Sequence, residues 1–231
     1  MPDITIEGPD GRFGAYLAVP DTTPAPGLVV AQEIFGVNQV MRDICDWLAG
    51  EGFVACCPDI FWRIEPGIQL TDKTEAEWAR AFELFGLFDV DKGIEDLKAA
   101  LADLRGRPEC SGKAGSIGYC LGGKLAFLMA TRSDADANVS YYGVGLDELL
   151  GEAGNITAPT LLHVASQDQF VPPEAQEAIK AGLAGHSKVT LHVYDGQDHA
   201  FARVGGEHYD RAAAELANGR SLAHLREALA A

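Results

Sequence analysis

The sequence predicts an α/β fold: a mainly parallel twisted sheet of about eight strands, with helices on both faces. Strand-like and helix-like segments alternate along the 231 residues, and several of the strands are short β-branched runs suited to burial. No internal repeat, low-complexity tract or linker interrupts this alternation. A single domain spanning residues 1–231 is therefore the expected organisation.

The first half of the chain opens with a predicted hairpin, "ITIEG" and "GAYLAV" around the turn signal "PDG". Two buried strands follow, "GLVVAQ" and "FVACCPD", with a helix over residues 38–52 between them. In that helix the apolar spacing puts Val40, Ile44, Trp47 and Leu48 on one face. Residues 74–105 are predicted to form two helices that break near "GLFDVD".

The second half begins with a strand, "AGSIGYC", that runs directly into the helix "LGGKLAFLMATR". The segments "VSYYG", "TLLHVA" and "VTLHVYD" are three further strands. A helix over "PPEAQEAIKAGLA" and a long C-terminal helix complete the prediction. In such sheets, sites lie beyond the carboxyl ends of the strands, so the residues that follow each strand matter most.

Composition excludes several functions. The formal net charge is −16 and the pI about 4.6, whereas nucleic-acid binding needs a basic face. No apolar stretch approaches ~18 residues, and the first residues lack the pattern of a secretory signal, so we expect neither membrane insertion nor export. The five cysteines form no CxxC pair, which argues against a zinc ribbon or a thioredoxin-type site. The expected compartment is the cytoplasm.

The stretch "SIGYCLGG" has the form Gly-x-Cys-x-Gly, with Cys120 between Gly118 and Gly122. A sharp strand-to-helix turn that presents a nucleophile needs small neighbours, and many esterases place Ser in this pattern. The backbone N–H of Leu121 would then face an oxyanion, and the helix N-terminus would favour a thiolate. The alternative is a buried cysteine in a glycine-rich turn.

Asp168 and His199 each come just after a predicted strand. Taken singly, Asp168 fits a helix-capping role and His199 fits a solvated loop. Together with Cys120 they occur in the chain order nucleophile, acid, base, which is the order of α/β-hydrolases. The sequence therefore predicts a Cys120–His199–Asp168 triad.

The remaining histidines indicate no second site. His163 and His192 fall inside predicted strands, and His186, His208 and His224 are expected on polar surfaces. His199, His208 and a carboxylate could form a metal site, but no recognised ligand spacing occurs, so no metal is expected. No phosphate loop or GxGxxG pattern occurs either, and we expect no cofactor.

Motifs along nearly the whole chain resemble those of the dienelactone hydrolase (carboxymethylenebutenolidase) family of α/β-hydrolases. The matching segments are "AQEIFGVN", "CPDI", "GYCLGGKLAFL", "YYGVGL", "QDQFVPP" and "HAFAR". The resemblance implies a monomeric hydrolase, active in the degradation of aromatic compounds. It would open a carboxylated enol-lactone, converting dienelactone to maleylacetate, through a cysteinyl thioester.

The resemblance also implies roles for residues. Cys120 would be the nucleophile, His199 the base and Asp168 its orienting acid. Glu33 would hold the resting thiol neutral and take its proton once substrate binds, which would protect a thiol that otherwise ionises and oxidises readily. Two backbone N–H groups would form the oxyanion hole, those of Ile34 and Leu121. The substrate-binding residues would be Arg203, Phe35, Trp78, Phe82 and Tyr142.

The sequence departs from the family pattern where a second substrate-binding arginine and a tyrosine are expected, because Trp78 and Phe82 align there. Arg80 is close in sequence, but at ~100° per residue it points away from the face that carries Trp78, Phe82 and Phe85. The pocket is therefore expected to be more apolar than the family type, unless these aromatics are ordinary core. Two alternatives stay open: a broader small-ester carboxylesterase on the same triad, and a non-catalytic binding protein that keeps the fold.

Overall fold

A computed structural model describes residues 4–230 and confirms the α/β prediction. The strands are β1 Ile4–Gly8, β2 Gly11–Ala18, β3 Ala25–Ala31, β4 Val54–Pro58, β5 Cys110–Tyr119, β6 Asn138–Tyr141, β7 Thr160–Ala165 and β8 Val189–Tyr194. The helices are α1 Gln39–Gly50, α2 Glu75–Leu87, α3 Val90–Gly106, α4 Leu121–Arg132, α5 Pro173–Leu183 and α6 Arg211–Ala228. A 3₁₀ segment, Asp147–Asn155, was not predicted.

The eight strands form one sheet in the order β1-β2-β4-β3-β5-β6-β7-β8. The pairs β1–β2 and β2–β4 are antiparallel, and the pairs β3–β4, β5–β6, β6–β7 and β7–β8 are parallel. The described chain divides into two compact units, residues 4–115 and residues 116–230. The single-domain organisation stays a prediction.

In the first unit, α1 packs on β2 and β4, and α3 packs on β1, β3 and β4. Each helix starts where a polar side chain accepts a hydrogen bond from the amide three residues on, which satisfies one of the unpaired N–H groups of the first turn. The capping residues are Asn38 for α1, Thr74 for α2 and Asp89 for α3. These short-range signals explain why the predicted boundaries agree closely with the structure.

The buried face of α1 differs from the prediction. Met41, Cys45 and Leu48 are fully buried, whereas the other three predicted face residues, Val40, Ile44 and Trp47, are only partly buried. The two sets of residues form adjacent apolar lines along the helix, so the apolar periodicity alone does not show which line is buried. Contact with β2 and β4 selects the line through Met41.

In the second unit, β5, β6, β7 and β8 pair in register, so that Tyr119, Tyr141, His163 and His192 form a row across the sheet. The residues that follow these strands consequently emerge at one edge. Helix α4 packs on β6, and a core of aliphatic side chains from α4, α5 and the 3₁₀ segment surrounds Phe127. Within residues 4–230, no helix has the length and hydropathy that a membrane span requires.

Candidate active site

Cys120 occupies the strained turn that the glycine pattern predicts. It lies between β5 and α4 as the N-cap of the helix, with φ 57° and ψ −116°, a conformation that a residue with a Cβ rarely adopts. Its amide donates to the carbonyl of Tyr141 (3.1 Å), and its carbonyl accepts from the amide of Lys124 (3.1 Å). Its side chain makes no capping hydrogen bond to α4, so the backbone is fixed while the sulfur is left for other contacts.

A third glycine, Gly123, supports this turn, although the sequence motif singled out only Gly118 and Gly122. A Cβ on Gly123 would lie 2.5 Å from the carbonyl oxygen of Tyr141 and 2.8 Å from the Cα of Gly143. The Ser140 hydroxyl donates to the Gly123 carbonyl at 2.8 Å. The first turn of α4 thus approaches the end of β6 at backbone distance, which only glycine permits.

Asp168 and His199, predicted from separate strand ends, are in contact. His199 Nδ1 lies 2.8 Å from Asp168 Oδ2, and both side chains are nearly inaccessible, at 5% and 3% exposure. The other carboxylate oxygen of Asp168 accepts the amide of Phe170 at 2.8 Å. The amide of Gln167 donates to the carbonyl of Gln197 at 2.8 Å, which ties the loop after β7 to the loop after β8. The carboxylate and the imidazole are therefore held in place from both sides.

The electrostatics of His199 depend on both neighbours. Burial lowers the pKa of the imidazole, but the charge of Cys120, with which it also shares a hydrogen bond, and the Asp168 carboxylate raise it more, to about 10. The rings of Tyr142 and Phe170 pack edge-on at 5.1 and 4.8 Å. His199 thus bridges the sulfur and the carboxylate in a largely dry setting.

The residue after Cys120, Leu121, opens helix α4. Leu121 is the first residue of α4, so its N–H has no partner within the helix, and its side chain is fully buried. The partial positive charge of the helix N-terminus lies at the same position. This amide can stabilise an oxyanion that forms on a carbon bound to the sulfur.

Tyr142 and Arg203 also belong to the second unit. Tyr142 is buried with a positive φ of 37°, and its amide donates to the carbonyl of His163 at 2.8 Å. Arg203 is only 8% exposed and lies in consecutive turns, in which its amide donates to Ala200 and its carbonyl accepts from Gly206. The buried Arg203 side chain is thus carried on a tightly wound loop.

In the first unit, Glu33, Ile34 and Phe35 come one residue after the end of β3, and all three are buried. The turn after them needs glycine, because Gly36 has φ 80° and a Cβ there would lie 2.0 Å from the carbonyl oxygen of Ile68. The amide of Leu70 donates to the carbonyl of Phe35 at 2.8 Å. A buried carboxylate thus stands on a backbone that is fixed from two sides.

Two aromatic residues of α2, Trp78 and Phe82, form a cluster with Phe35. The ring of Trp78 lies edge-on to Phe35 at 5.0 Å and stacks on Phe82 at 5.5 Å. Phe82 is 47% exposed and Phe85 is 39% exposed, so the ordinary-core explanation fails for these outer two rings. Arg80 points elsewhere, as the helix arithmetic predicts, and pairs with Glu65 and Glu83.

The other histidines differ in burial. His163 is buried within β7 and His192 is partly exposed on β8. The polar-surface prediction is wrong for His224, because α6 turns this side chain inward, where it bonds the backbone of Pro159 and burial lowers its pKa. Over residues 4–230, no group of three or more histidine, cysteine or acidic side chains is arranged to hold a metal ion.

Comparison with known proteins gives consistent matches over nearly the whole chain. The sequence model of the dienelactone hydrolase family matches residues 13–229. The chain is 55% identical to a "putative carboxymethylenebutenolidase" of Azospirillum brasilense, over 99% of this chain and 100% of that one. It is 42% identical to a carboxymethylenebutenolidase of Pseudomonas putida, over 96% and 94% of the two chains.

Among solved structures, a crystal structure described as a "putative dienelactone hydrolase" from Klebsiella pneumoniae superposes with a TM-score of 0.85 and 25% identity, covering 96% of each chain. The fold is therefore the α/β-hydrolase fold that the order of the strand-end residues predicted. The family match and the curated relatives also identify the chain as a lactone or ester hydrolase. The chain belongs to the dienelactone hydrolase family.

Proposed function

We propose that this enzyme opens a carboxylated enol-lactone, of the dienelactone-to-maleylacetate type, through a cysteinyl thioester. The names of its curated relatives support the substrate class. The observation that carries the mechanism is the continuous contact from Cys120 through His199 to Asp168, built on a turn whose backbone is strained. Such an arrangement serves nucleophilic acyl transfer.

In the acylation step, the Cys120 sulfur adds to the lactone carbonyl carbon and the carbonyl oxygen becomes an oxyanion. The N–H of Leu121 stabilises that charge. When the intermediate collapses, the ring C–O bond breaks and the enolate oxygen leaves, taking up a proton from the His199 imidazolium. A thiolate suits this substrate, because an enolate is an easy leaving group.

In the deacylation step, neutral His199 accepts a proton from water, and the resulting hydroxide equivalent adds to the thioester carbonyl. The C–S bond then breaks and the acid is released. The thiolate takes back from Glu33 the proton that it lost when substrate bound, and His199 is left protonated, as it began. Asp168 keeps His199 in the tautomer that exposes Nε2 and stabilises the imidazolium that forms in each half-reaction. Asp168 itself stays ionised throughout.

Three further roles rest on the family resemblance. Glu33 is the group we expect to take the thiol proton as substrate binds, and its side chain is only 3% exposed. Arg203 is the group we expect to bind the substrate carboxylate. The backbone N–H of Ile34 is proposed as the second oxyanion donor.

A second candidate function is a broader small-ester carboxylesterase. It is favoured by the stacked Trp78 and Phe82 where the family pattern has an arginine and a tyrosine, and by the engagement of Arg80 with two glutamates. A lost charge-assisted hydrogen bond costs roughly 1.5–3 kcal/mol, or about ten- to a hundredfold in affinity. Uncharged esters would suffer no such loss.

The test is the ratio of kcat/KM for dienelactone to that for p-nitrophenyl acetate, measured on the wild type and on Cys120→Ala. A ratio far above one supports the lactonase, and a ratio near or below one supports the broader esterase. In both cases Cys120→Ala is expected to lose activity by at least ~10³-fold, because no other group replaces the sulfur.

Trapping of the acyl-enzyme sharpens this test. Rapid quenching of the wild type with p-nitrophenyl acetate is expected to yield a protein heavier by one acetyl group, and peptide mapping should locate that group on Cys120. Acetylation at another residue, or full activity of Cys120→Ala, would refute the thioester route. No turnover of any ester or lactone by the wild type would refute both candidate functions.

A further inference from the structure

Five side chains of the second unit form a largely buried chain of hydrogen bonds next to the strained turn at Cys120. His163 Nδ1 lies 2.7 Å from the Tyr194 hydroxyl, and His163 Nε2 lies 2.8 Å from the Ser221 hydroxyl. Ser221 in turn lies 2.7 Å from the Tyr141 hydroxyl, which donates to Asn218 Oδ1 at 2.9 Å. His163, Tyr141 and Ser221 are all at most 1% exposed. The mechanism proposed above uses none of them.

The direction of each hydrogen bond follows from the last bond of the chain, between Tyr141 and Asn218. Because the Tyr141 hydroxyl donates to Asn218, it must accept from Ser221, and Ser221 must then accept from His163. His163 therefore carries its proton on Nε2, which leaves Nδ1 to accept from the Tyr194 hydroxyl. Only one neutral tautomer of His163 satisfies every member.

Arg220 fixes the other end of this chain. Its guanidinium lies over the Tyr194 ring and hydrogen-bonds the Tyr194 hydroxyl, to which it can only donate. The Tyr194 proton is thereby directed to His163. The chain is polarised in one direction from a cation on α6 to an amide on α6, with His163 in its middle.

The same residues hold the backbone of the proposed catalytic groups. The Tyr141 carbonyl accepts the amide of Cys120 at 3.1 Å, and the His163 carbonyl accepts the amide of Tyr142 at 2.8 Å. The ring of Tyr142 packs on His199 at 5.1 Å, and Tyr142 has a positive φ that needs such support. The His163 ring lies 4.3 Å from the Tyr141 ring. A shift of Tyr141 or Tyr142 would move nucleophile and base together.

We propose that His163, in its neutral Nε2–H form, is a positioning residue that holds Tyr141 and Tyr142, and through them Cys120 and His199, in the reactive geometry. The inference rests on the proposed catalytic roles of those two residues. It adds a group outside the triad whose protonation state sets the alignment of the triad.

The surroundings of His163 oppose its protonation. Burial lowers the pKa of His163 well below its usual value, and three basic groups lower it further: His192 on β8, Arg220 on α6 and His224 on α6. The other titratable groups that face it are the neutral hydroxyls of Tyr141 and Tyr194. A second proton would sit on Nδ1 against the Tyr194 hydroxyl, which would then have to give up its own donation. Acid would therefore disrupt the chain at this point.

The test uses Ser221→Ala, which cuts the chain with little loss of volume, and His163→Gln, which cannot titrate. Each is expected to lower kcat for p-nitrophenyl acetate on the order of tenfold, since sub-ångström misplacement of reacting groups costs rate rather than binding. KM should stay within about twofold. The double variant should lose no more than the larger single effect, because both changes break one chain.

His192→Gln is the matched control. It lies on the neighbouring strand with its ring 6.3 Å from His163, but it belongs to no step of the hydrogen-bond chain. Its kcat is expected to stay within twofold of wild type. The acid limb of the kcat profile should persist in His192→Gln and flatten in His163→Gln. A wild-type acid limb in His163→Gln would overturn the inference.

Circular dichroism melting of each variant shows whether the native fold is kept, and Ser221→Ala serves if His163→Gln fails to fold. Folded variants with wild-type kcat, or losses that appear in KM alone, would refute the positioning role. Full activity of Cys120→Ala would refute the proposed function instead. The two failures are thus distinguishable.

Discussion

Two buried aspartates, Asp59 after β4 and Asp168 after β7, begin from the same local pattern. Both follow a strand that pairs in parallel with a neighbour, and both are nearly inaccessible, at 7% and 3% exposure. One oxygen of each accepts the amide two residues on, that of Phe61 at 3.1 Å and that of Phe170 at 2.8 Å. Up to this point the two strand ends are alike.

The two aspartates differ in the partner of their second carboxylate oxygen. For Asp59 it accepts the amide of Gly67, eight residues on, at 2.7 Å. For Asp168 it meets the imidazole of His199, 31 residues on, at 2.8 Å. The first carboxylate closes a loop, whereas the second contacts a side chain that can gain and lose a proton. The position of a buried acid is set by nearby sequence, and its task by the partner that the fold supplies.

The largest expected effect comes from Asp168→Asn. An amide cannot stabilise the His199 imidazolium and favours the wrong tautomer, so kcat should fall by ~10³–10⁴-fold. Steady-state kinetics with p-nitrophenyl acetate measure this. Asp59→Asn is the matched control and should keep kcat within about twofold. Equal losses in the two variants would erase the functional distinction between the strand ends.

The pKa of His199 tests the same distinction. Burial lowers this pKa, and Cys120 and Asp168 raise it to about 10, so removing the sulfur in Cys120→Ala should lower it. Titration of the His199 ring by NMR is expected to show a midpoint of about 10 in the wild type and a clearly lower midpoint in Cys120→Ala.

The raised pKa of His199 also makes the stability of the fold depend on pH. A pKa raised above the unfolded value near 6.5 contributes stability that is fully present below that pH and is lost as pH rises towards 10. Urea midpoints between pH 6 and pH 10 should therefore fall more steeply for the wild type than for Cys120→Ala. Parallel profiles would show that the sulfur does not hold the proton on His199.

The smallest effect is expected for Asp59→Asn in the absence of substrate. The Asp59 carboxylate accepts two backbone N–H groups, those of Phe61 and Gly67. An asparagine side chain has only one oxygen to accept with, so one of these N–H groups would face the side-chain NH₂ group instead. The free energy of unfolding should drop by about 1–3 kcal/mol. Urea denaturation measures this, and an unchanged midpoint would show that the loop after β4 closes without Asp59.

Much of the fold was predictable because its signals are local. The capping side chain at Asn38 and the β-branched run of β3 each act within a few residues, and they set element boundaries closely. The order of Cys120, Asp168 and His199 could be read because each follows a strand, and parallel strands bring their carboxyl ends to one edge. The catalytic roles of these three residues stay predictions.

What the sequence could not provide depends on residues far apart along the chain. Nothing near Gly123 indicates that it meets the Cα of Gly143, and nothing near His163 indicates that Ser221 is its partner. The inward turn of His224 likewise follows from the way α6 packs on β7. A pattern of single residues carries no information on such pairs.

The backbone at Cys120 has a consequence for how this enzyme can be improved. A side chain there is held at φ 57° and gives α4 no cap, and a strained residue of this kind costs about 1–3 kcal/mol. Glycine at the same position would relax the turn and is tolerated as a cap. Cys120→Gly should therefore melt higher than the wild type while hydrolysing nothing. Laboratory selection for heat resistance alone would drive position 120 towards the dead variant, so any such selection must score turnover at every round.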